Sequence, residues 1–158
     1  MQIFLILSGN CGQVMSDGYH ITDSSCSNGF PFDNFVFEVK MTINQGDCGG
    51  MILRFSGNST FGTFDGYTFY VCSDGTYQFS VGAYDSVLKS GSHAGITSGQ
   101  NTIAVVASDS NFILYLNHIR LDSVSDSSAG SGNIGLIAHS TNSNTTEVTY
   151  RDARVWTL

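Results

Sequence analysis

Three kinds of side chain in this 158-residue sequence are reactive enough to consider first: carboxylates, imidazoles and thiols. The only glutamates are Glu38 and Glu147, far apart in sequence and each alone in its apolar run. Acid–base hydrolysis of a glycosidic bond needs two carboxyl groups roughly 5.5 Å apart for retention, or about 6.5–9.5 Å for inversion. No ExDxE run is present to supply them, so catalysis of that kind is not expected. No GxSxG turn is present to expose a nucleophilic serine. His20, His93, His118 and His139 include no HxH or HExxH pair, and each reads as an ordinary strand or turn residue rather than a zinc ligand. No cofactor is expected. Calcium is the one metal to weigh, since Asp122, Asp126 and Asn133 flank one long loop and Asp65 and Asp74 sit in others. Aspartates also cap turns through their own backbone, however, and the spacing matches no calcium loop.

The four thiols, Cys11, Cys26, Cys48 and Cys72, form no CxxC pair, which removes zinc-ribbon and thioredoxin-type sites. Two bridges, Cys11–Cys26 and Cys48–Cys72, are favoured over buried free thiols. The stretch Gly46–Gly75 carries the argument. Met51–Phe55 and Gly66–Val71 are short apolar runs joined by a polar, glycine-rich loop, and folding them antiparallel brings Cys48 to Cys72. A bridged hairpin belongs to an oxidising compartment, so an extracellular or cell-surface location is expected.

The elements that position these groups read as strands. Phe35, Phe37, Val39, Met41 and Ile43 alternate with Val36, Glu38, Lys40 and Thr42, the period of a half-buried strand. Further strands are expected at 18–22, 51–55, 67–71, 76–81, 101–107, 112–116, 119–124, 134–139 and 147–157. Ser73-Asp74-Gly75, Ser108-Asp109-Ser110 and Asn117-His118 are the turns between some of them. No stretch has helical periodicity with a cap. Ten or so short strands with one proline and eighteen glycines predict two antiparallel sheets packed face to face, in one domain over residues 1–158.

Charged residues make up only 12% of the chain, and the formal net charge is −7. The six basic residues are scattered, so neither nucleic acid nor an anionic membrane is an expected partner. There is no apolar run long enough to span a membrane. The opening MQIFLILSG lacks a basic flank and does not read as a signal peptide; Ile3 to Leu7 reads instead as a first strand.

The segments DGYHI (17–21), FVFEVKMTI (35–43), GDCGGMILRF (46–55), YTFYVCSDGTYQF (67–79), NTIAVVA (101–107), ILYLN (113–117), SGNIGLIA (131–138) and TEVTYRDARVW (146–156) follow one another in an order that resembles the concanavalin A-like, laminin G-like jelly-roll superfamily. It is similar in particular to lectin-like and sugar-hydrolase-like modules of bacterial extracellular and sensor-kinase proteins. The resemblance implies an all-β jelly-roll sandwich with two disulfides and a non-catalytic recognition role, carbohydrate-binding or adhesive, with a cell-surface glycan as partner.

Sugar recognition takes an aromatic face and planar polar groups. Arg54, alone in an apolar strand, with Tyr67 and Tyr70 on its hairpin partner, forms the candidate patch. The alternative for Arg54 is a pair with Glu38 or cover for a sheet face. Trp156, between Val155 and Thr157, is expected in the core. Two sequons, at Asn58 and Asn144, fall in expected loops. A second reading makes the chain a subunit of an extracellular fibre or surface layer, assembled by strand addition of Ile3 to Leu7 to a neighbour's sheet, against the simpler case of a self-paired first strand.

Overall fold

The alternation that marks residues 35–43 as a strand is realised from Phe35 to Met41, with Ile43 partly buried against the core. Phe35, Phe37, Val39 and Met41 are buried, while Val36, Glu38, Lys40 and Thr42 are partly exposed. The computed structural model describes the backbone of residues 3–5, 11–15, 19–21, 27–56, 65–82, 86–140 and 145–158, and the side chains from Phe30 onward within those ranges. The described residues contain strands and no helix, hence no helix long and apolar enough to cross a membrane.

Fourteen strands are described: β1 (Ile3–Leu5), β2 (Cys11–Met15), β3 (Tyr19–Ile21), β4 (Ser27–Phe32), β5 (Phe35–Gln45), β6 (Cys48–Ser56), β7 (Asp65–Cys72), β8 (Thr76–Val81), β9 (Ser86–Ser92), β10 (Gln100–Ser108), β11 (Asn111–Leu116), β12 (Ile119–Ser125), β13 (Gly132–His139) and β14 (Thr146–Thr157). One sheet runs β1-β14-β5-β10-β11-β12, with β2 also on β14. The other runs β3-β13-β6-β7-β8-β9, with β4 also on β13. Every described pairing is antiparallel, and the non-sequential neighbours β14-β5-β10 and β13-β6 are the crossovers of a two-sheet jelly roll.

One continuous core fills the space between the sheets. Phe37, Val39, Ile103, Leu114 and Val155 come from the first sheet, and Met51, Leu53, Phe69, Phe79 and Leu136 from the second. Tyr150 crosses this core. From β14 its hydroxyl donates to the carbonyl of Ile137 and accepts the N–H of Gly50, at 2.6 Å, so it ties one sheet to the backbone of the other. Gly49 and Gly50 lie within the ladder of β6 rather than at a turn, and their role is clearance. A Cβ at Gly49 would lie 2.8 Å from the Tyr150 hydroxyl, and one at Gly50 would lie 2.0 Å from the Phe69 carbonyl oxygen.

Where sequence and structure differ, the reasons are local. Trp156 is half-buried on the solvent side of its sheet, because strand alternation turns it away from the core when Val155 turns in. Ile3–Leu5 forms a strand, and it is paired within its own chain, Ile3 opposite Trp156 and Leu5 opposite Arg154. β2, β4 and β9 were not expected from the sequence. β9, SVLKSGS, has almost no buried side chain, so its composition carries no period-two signal.

The hairpin of β6 and β7 is formed as expected, with Cys48 directly opposite Cys72 and the two joined by a disulfide. Of the two expected bridges this is the one described. Cys26 and the side chain of Cys11, like the sequons at Asn58 and Asn144, lie outside what the structure describes, so the Cys11–Cys26 pairing does too.

Candidate functional site

The three residues singled out on the hairpin go to two ends and two faces of the second sheet. Tyr67 and Tyr70 are three apart on β7, and an odd spacing on a strand puts side chains on opposite faces. Tyr67 points into the core, fully buried, stacked on Phe79 at 5.5 Å between ring centroids and tilted against Phe112 at 4.5 Å. Its hydroxyl donates to Asp126 Oδ1 at 2.8 Å and accepts the Ala129 N–H at 3.1 Å. Burial pushes its pKa up.

Arg54 joins Tyr67 at that end. Regular alternation after Met51 and Leu53 would turn Arg54 outward, but its φ of +49° and the register break between Leu53 and Ser56 make a bulge that turns it in. It is 1% exposed, with its guanidinium 5.0 Å from the centre of the Phe112 ring. Nε donates to the Asp33 carbonyl at 2.8 Å, and Nη1 donates to the carbonyls of Asp109 at 2.7 Å and Ala129 at 3.2 Å. Nη2 donates to the Asp33 carbonyl and to Asn34 Oδ1. A guanidinium has five N–H donors, and all five are used within the chain. Burial lowers the Arg54 pKa, with Tyr67, Asp33 and Asp109 acting in the opposite direction. Arg54 therefore gathers the β4–β5 turn, the β10–β11 turn and the β12–β13 loop around one cation. The bulge fits only beside glycine, since a Cβ on Gly132 would sit 2.4 Å from the Arg54 carbonyl carbon. The expected alternative of an Arg54–Glu38 pair does not form: Glu38 stands opposite Arg154 in register and 3.6 Å from His118.

Tyr70 lies at the other end, on the outer face. It forms a small buried cluster with Cys48 and Cys72, and its ring lies 5.1 Å from that of His139 on β13. Burial lowers the His139 pKa, against the pull of Asp47. This cluster floors an open cleft of about 560 Å³, walled by the hairpin mouth at Asp47, Ser73 and Asp74 and by Gln78, Ser90 and Ser92 on β8 and β9. The ladder sets the spacing, with Tyr70 opposite Gln78 and Gln78 opposite Ser90. The mouth is fixed by the disulfide, by the Ser73 N–H to the Asp47 carbonyl at 2.7 Å, and by the Ser73 hydroxyl to the Gly46 carbonyl at 3.2 Å. Gln78 Nε2 donates to Ser80 Oγ at 2.8 Å, which orients its amide. Asp74 Oδ1 accepts both the N–H and the hydroxyl of Thr76, and these bonds hold its pKa below the usual carboxylate range.

The arrangement offers hydroxyl, amide and carboxylate groups around the edges of an aromatic ring and a disulfide, groups that can hydrogen-bond and orient a ligand. Gln78 and Ser90 were not singled out in the sequence. Their place in the cleft depends on β9, which the sequence does not reveal.

The remaining candidates are dispersed. Asp122 takes the Tyr77 hydroxyl at 2.9 Å and lies 3.4 Å from Lys89. Asp126 takes the Tyr67 hydroxyl and the Ser128 N–H. Among the described residues no three His, Cys, Asp or Glu side chains gather as a metal site. Glu38 and Glu147 sit opposite Arg154 and Gln45, which places them seven residues apart along β5, roughly 23 Å at about 3.3 Å per residue.

No protein-family model and no curated protein matches the chain. Its fold does have solved counterparts. The carbohydrate binding module CBM66 from Bacillus subtilis superposes with a TM-score of 0.71 at 15% identity, over 96% of this chain and 94% of that one. The fold is a concanavalin A-like jelly roll. A Bacillus subtilis protein of unknown function with a galectin-like fold gives a TM-score of 0.66 at 10% identity, over 92% and 89% of the two chains. The Bacillus licheniformis β-glucanase gives 0.57 at 13% identity, over 84% and 70%. A concanavalin A-like jelly roll thus accompanies both binding and hydrolytic proteins, and fold alone does not choose between them.

Proposed function

We propose that this chain is a non-catalytic, extracellular carbohydrate-binding module whose ligand lies in the cleft over Tyr70 and the Cys48–Cys72 bridge. The observation that carries the reading is the cleft itself: uncharged hydrogen-bonding groups, Gln78, Ser90 and Ser92, are held on a rigid ladder above an aromatic floor. The wide separation of Glu38 and Glu147 supports a binding rather than hydrolytic role. The disulfide supports an oxidising, extracellular setting. The structural likeness to a carbohydrate binding module agrees with this choice.

In this reading Tyr70 meets the ligand at the cleft floor. Arg54 and Tyr67 act at the far end of the sheet, by holding the three loops they bond. A glycan array tests the proposal, with wild type, Gln78→Ala and Arg54→Met run together. Binding that Gln78→Ala lowers at least tenfold, and that folded Arg54→Met retains, supports it. A wild-type protein that binds no glycan refutes it.

A further inference from the structure

The cleft over Tyr70 does not end at Ser92. A second hollow of about 400 Å³, formed by Gly75, His93, Ala94 and Ile96, shares Ser73, Asp74 and Ser92 with it. We propose that the two hollows are adjoining subsites for one neutral oligosaccharide of at least two sugars, with Asp74 at their boundary. The inference rests on the carbohydrate reading above and specifies the length and charge of the ligand.

Size and continuity argue for length. Hollows of about 560 and 400 Å³ each fall in the range of roughly 300–1,000 Å³ typical of small-molecule sites, and they meet along a shared wall. That wall is rigid. The His93 N–H donates to the Gly75 carbonyl at 2.9 Å, and the Ile96 N–H donates to the His93 carbonyl at 3.1 Å, so the 93–96 turn is pinned to the β7–β8 turn. Two hollows held at fixed separation suit the repeat of a chain better than a single ring.

Donor chemistry agrees. His93 Nδ1 accepts the Gly95 N–H at 2.9 Å, which leaves the ring proton of neutral His93 on Nε2 as a donor. Asp74 has only Oδ1 committed, to Thr76, among the described residues, so its other oxygen is open to a hydroxyl proton. A donor on one side and an acceptor at the boundary match the hydroxyls of adjacent sugars.

Charge argues for neutrality. Asp74 lines both hollows and Asp47 lines the first, and neither lining includes a lysine or arginine. A uronate or sulfate ester brought here would face the like charge of Asp74 with no lysine or arginine to pair it, which disfavours acidic glycans.

The test is titration calorimetry and NMR titration with length-graded cello-, xylo-, galacto- and fructo-oligosaccharides of one to four sugars, beside oligogalacturonate and chondroitin sulfate fragments. In whichever neutral series binds, affinity should rise at least tenfold from one sugar to two. His93→Ala should remove that gain and leave single-sugar affinity within twofold. His93→Asn, which keeps an acceptor for Gly95, controls for a loosened turn and should retain part of the gain. Length-independent affinity, a disaccharide gain unaltered in His93→Ala, or acidic fragments binding as tightly as neutral ones would overturn the inference while leaving the carbohydrate site in place. No binding by any series would overturn both.

Discussion

The guanidinium of Arg54 lies 5.0 Å from the centre of the Phe112 ring and donates all its hydrogens to oxygens of the chain. An arginine between apolar strand neighbours is thereby an internal cation, doing for three loops what a bound metal does in other scaffolds. Its energetic weight comes from the carbonyls it satisfies, because a buried acceptor left without a donor costs about 1–3 kcal/mol.

Arg54→Met keeps the volume and removes the donors, leaving the carbonyls of Asp33, Asp109 and Ala129 without this partner. A loss of about 3 kcal/mol or more is expected, read as a lower urea midpoint with an unchanged slope. A loss below about 1 kcal/mol would show that water or other groups replace the guanidinium at no cost.

The Cys48–Cys72 bridge closes a 24-residue separation. Loop-closure entropy for that length gives about 3.5 kcal/mol, and the bridge also fixes the cleft mouth. The double variant Cys48→Ala/Cys72→Ala should unfold at correspondingly lower denaturant. Amide exchange should accelerate at Asp47, Ser73 and Asp74 before it does in β10. Unchanged exchange at the mouth would mean that the ladder alone holds it.

Much of this was legible in the sequence, for identifiable reasons. Strong alternation at Phe35–Ile43, and the φ values of +50° and +65° at Asn117 and His118 that their turn requires, are features the residue types themselves carry. The Cys48–Cys72 register followed from the apolar runs on either side. Arg54 was legible as unusual but not as buried, since the bulge that turns it inward depends on Gly132, about eighty positions away in the chain. Tyr67 and Tyr70 were grouped as neighbours in sequence, although their odd spacing already separates their faces. The β9 wall of the cleft was hidden because that edge strand, SVLKSGS, buries no side chain and carries no alternating apolar pattern.

Removing the hydroxyl in Tyr150→Phe leaves the Gly50 N–H and the Ile137 carbonyl, both deep in the core, without this partner. We expect a loss of about 1–3 kcal/mol with little change in fold, measurable by thermal melting. A variant as stable as wild type would contradict the role of Tyr150 as the tie between the sheets.

His139 and the carboxylates of Asp122 and Asp126 contribute to the acid limb of stability. His139 has its pKa lowered by burial, so the unfolded chain takes up a proton first. The stability it contributes is complete above about pH 6.5 and declines as pH falls from there toward its folded value. At Asp122 burial favours the protonated form, but the Ser123 N–H, the Tyr77 hydroxyl and Lys89 outweigh it and lower the pKa. Asp126 is lowered in the same way, by Ser128 and Tyr67. These carboxylates contribute stability above the ordinary range near pH 4, and it is lost as pH falls through their depressed values. Urea midpoints across pH 7.5 to 2.5 should therefore fall in two stages. His139→Phe should abolish the first stage and retain the second; a single stage below pH 4 in the wild type would contradict the assignment to His139.

The proposed ligand position is over Tyr70 and the disulfide, at the opposite end of the sheet from Arg54. The most direct measurement is an amide chemical-shift titration of the labelled protein with the neutral oligosaccharide selected by the array. Shifts concentrated at Tyr70, Asp74, Gln78 and Ser90, with Asn34, Asp109 and Ala129 unmoved, are the predicted result. Shifts concentrated at Asn34, Asp109 and Ala129, with the cleft silent, would contradict it.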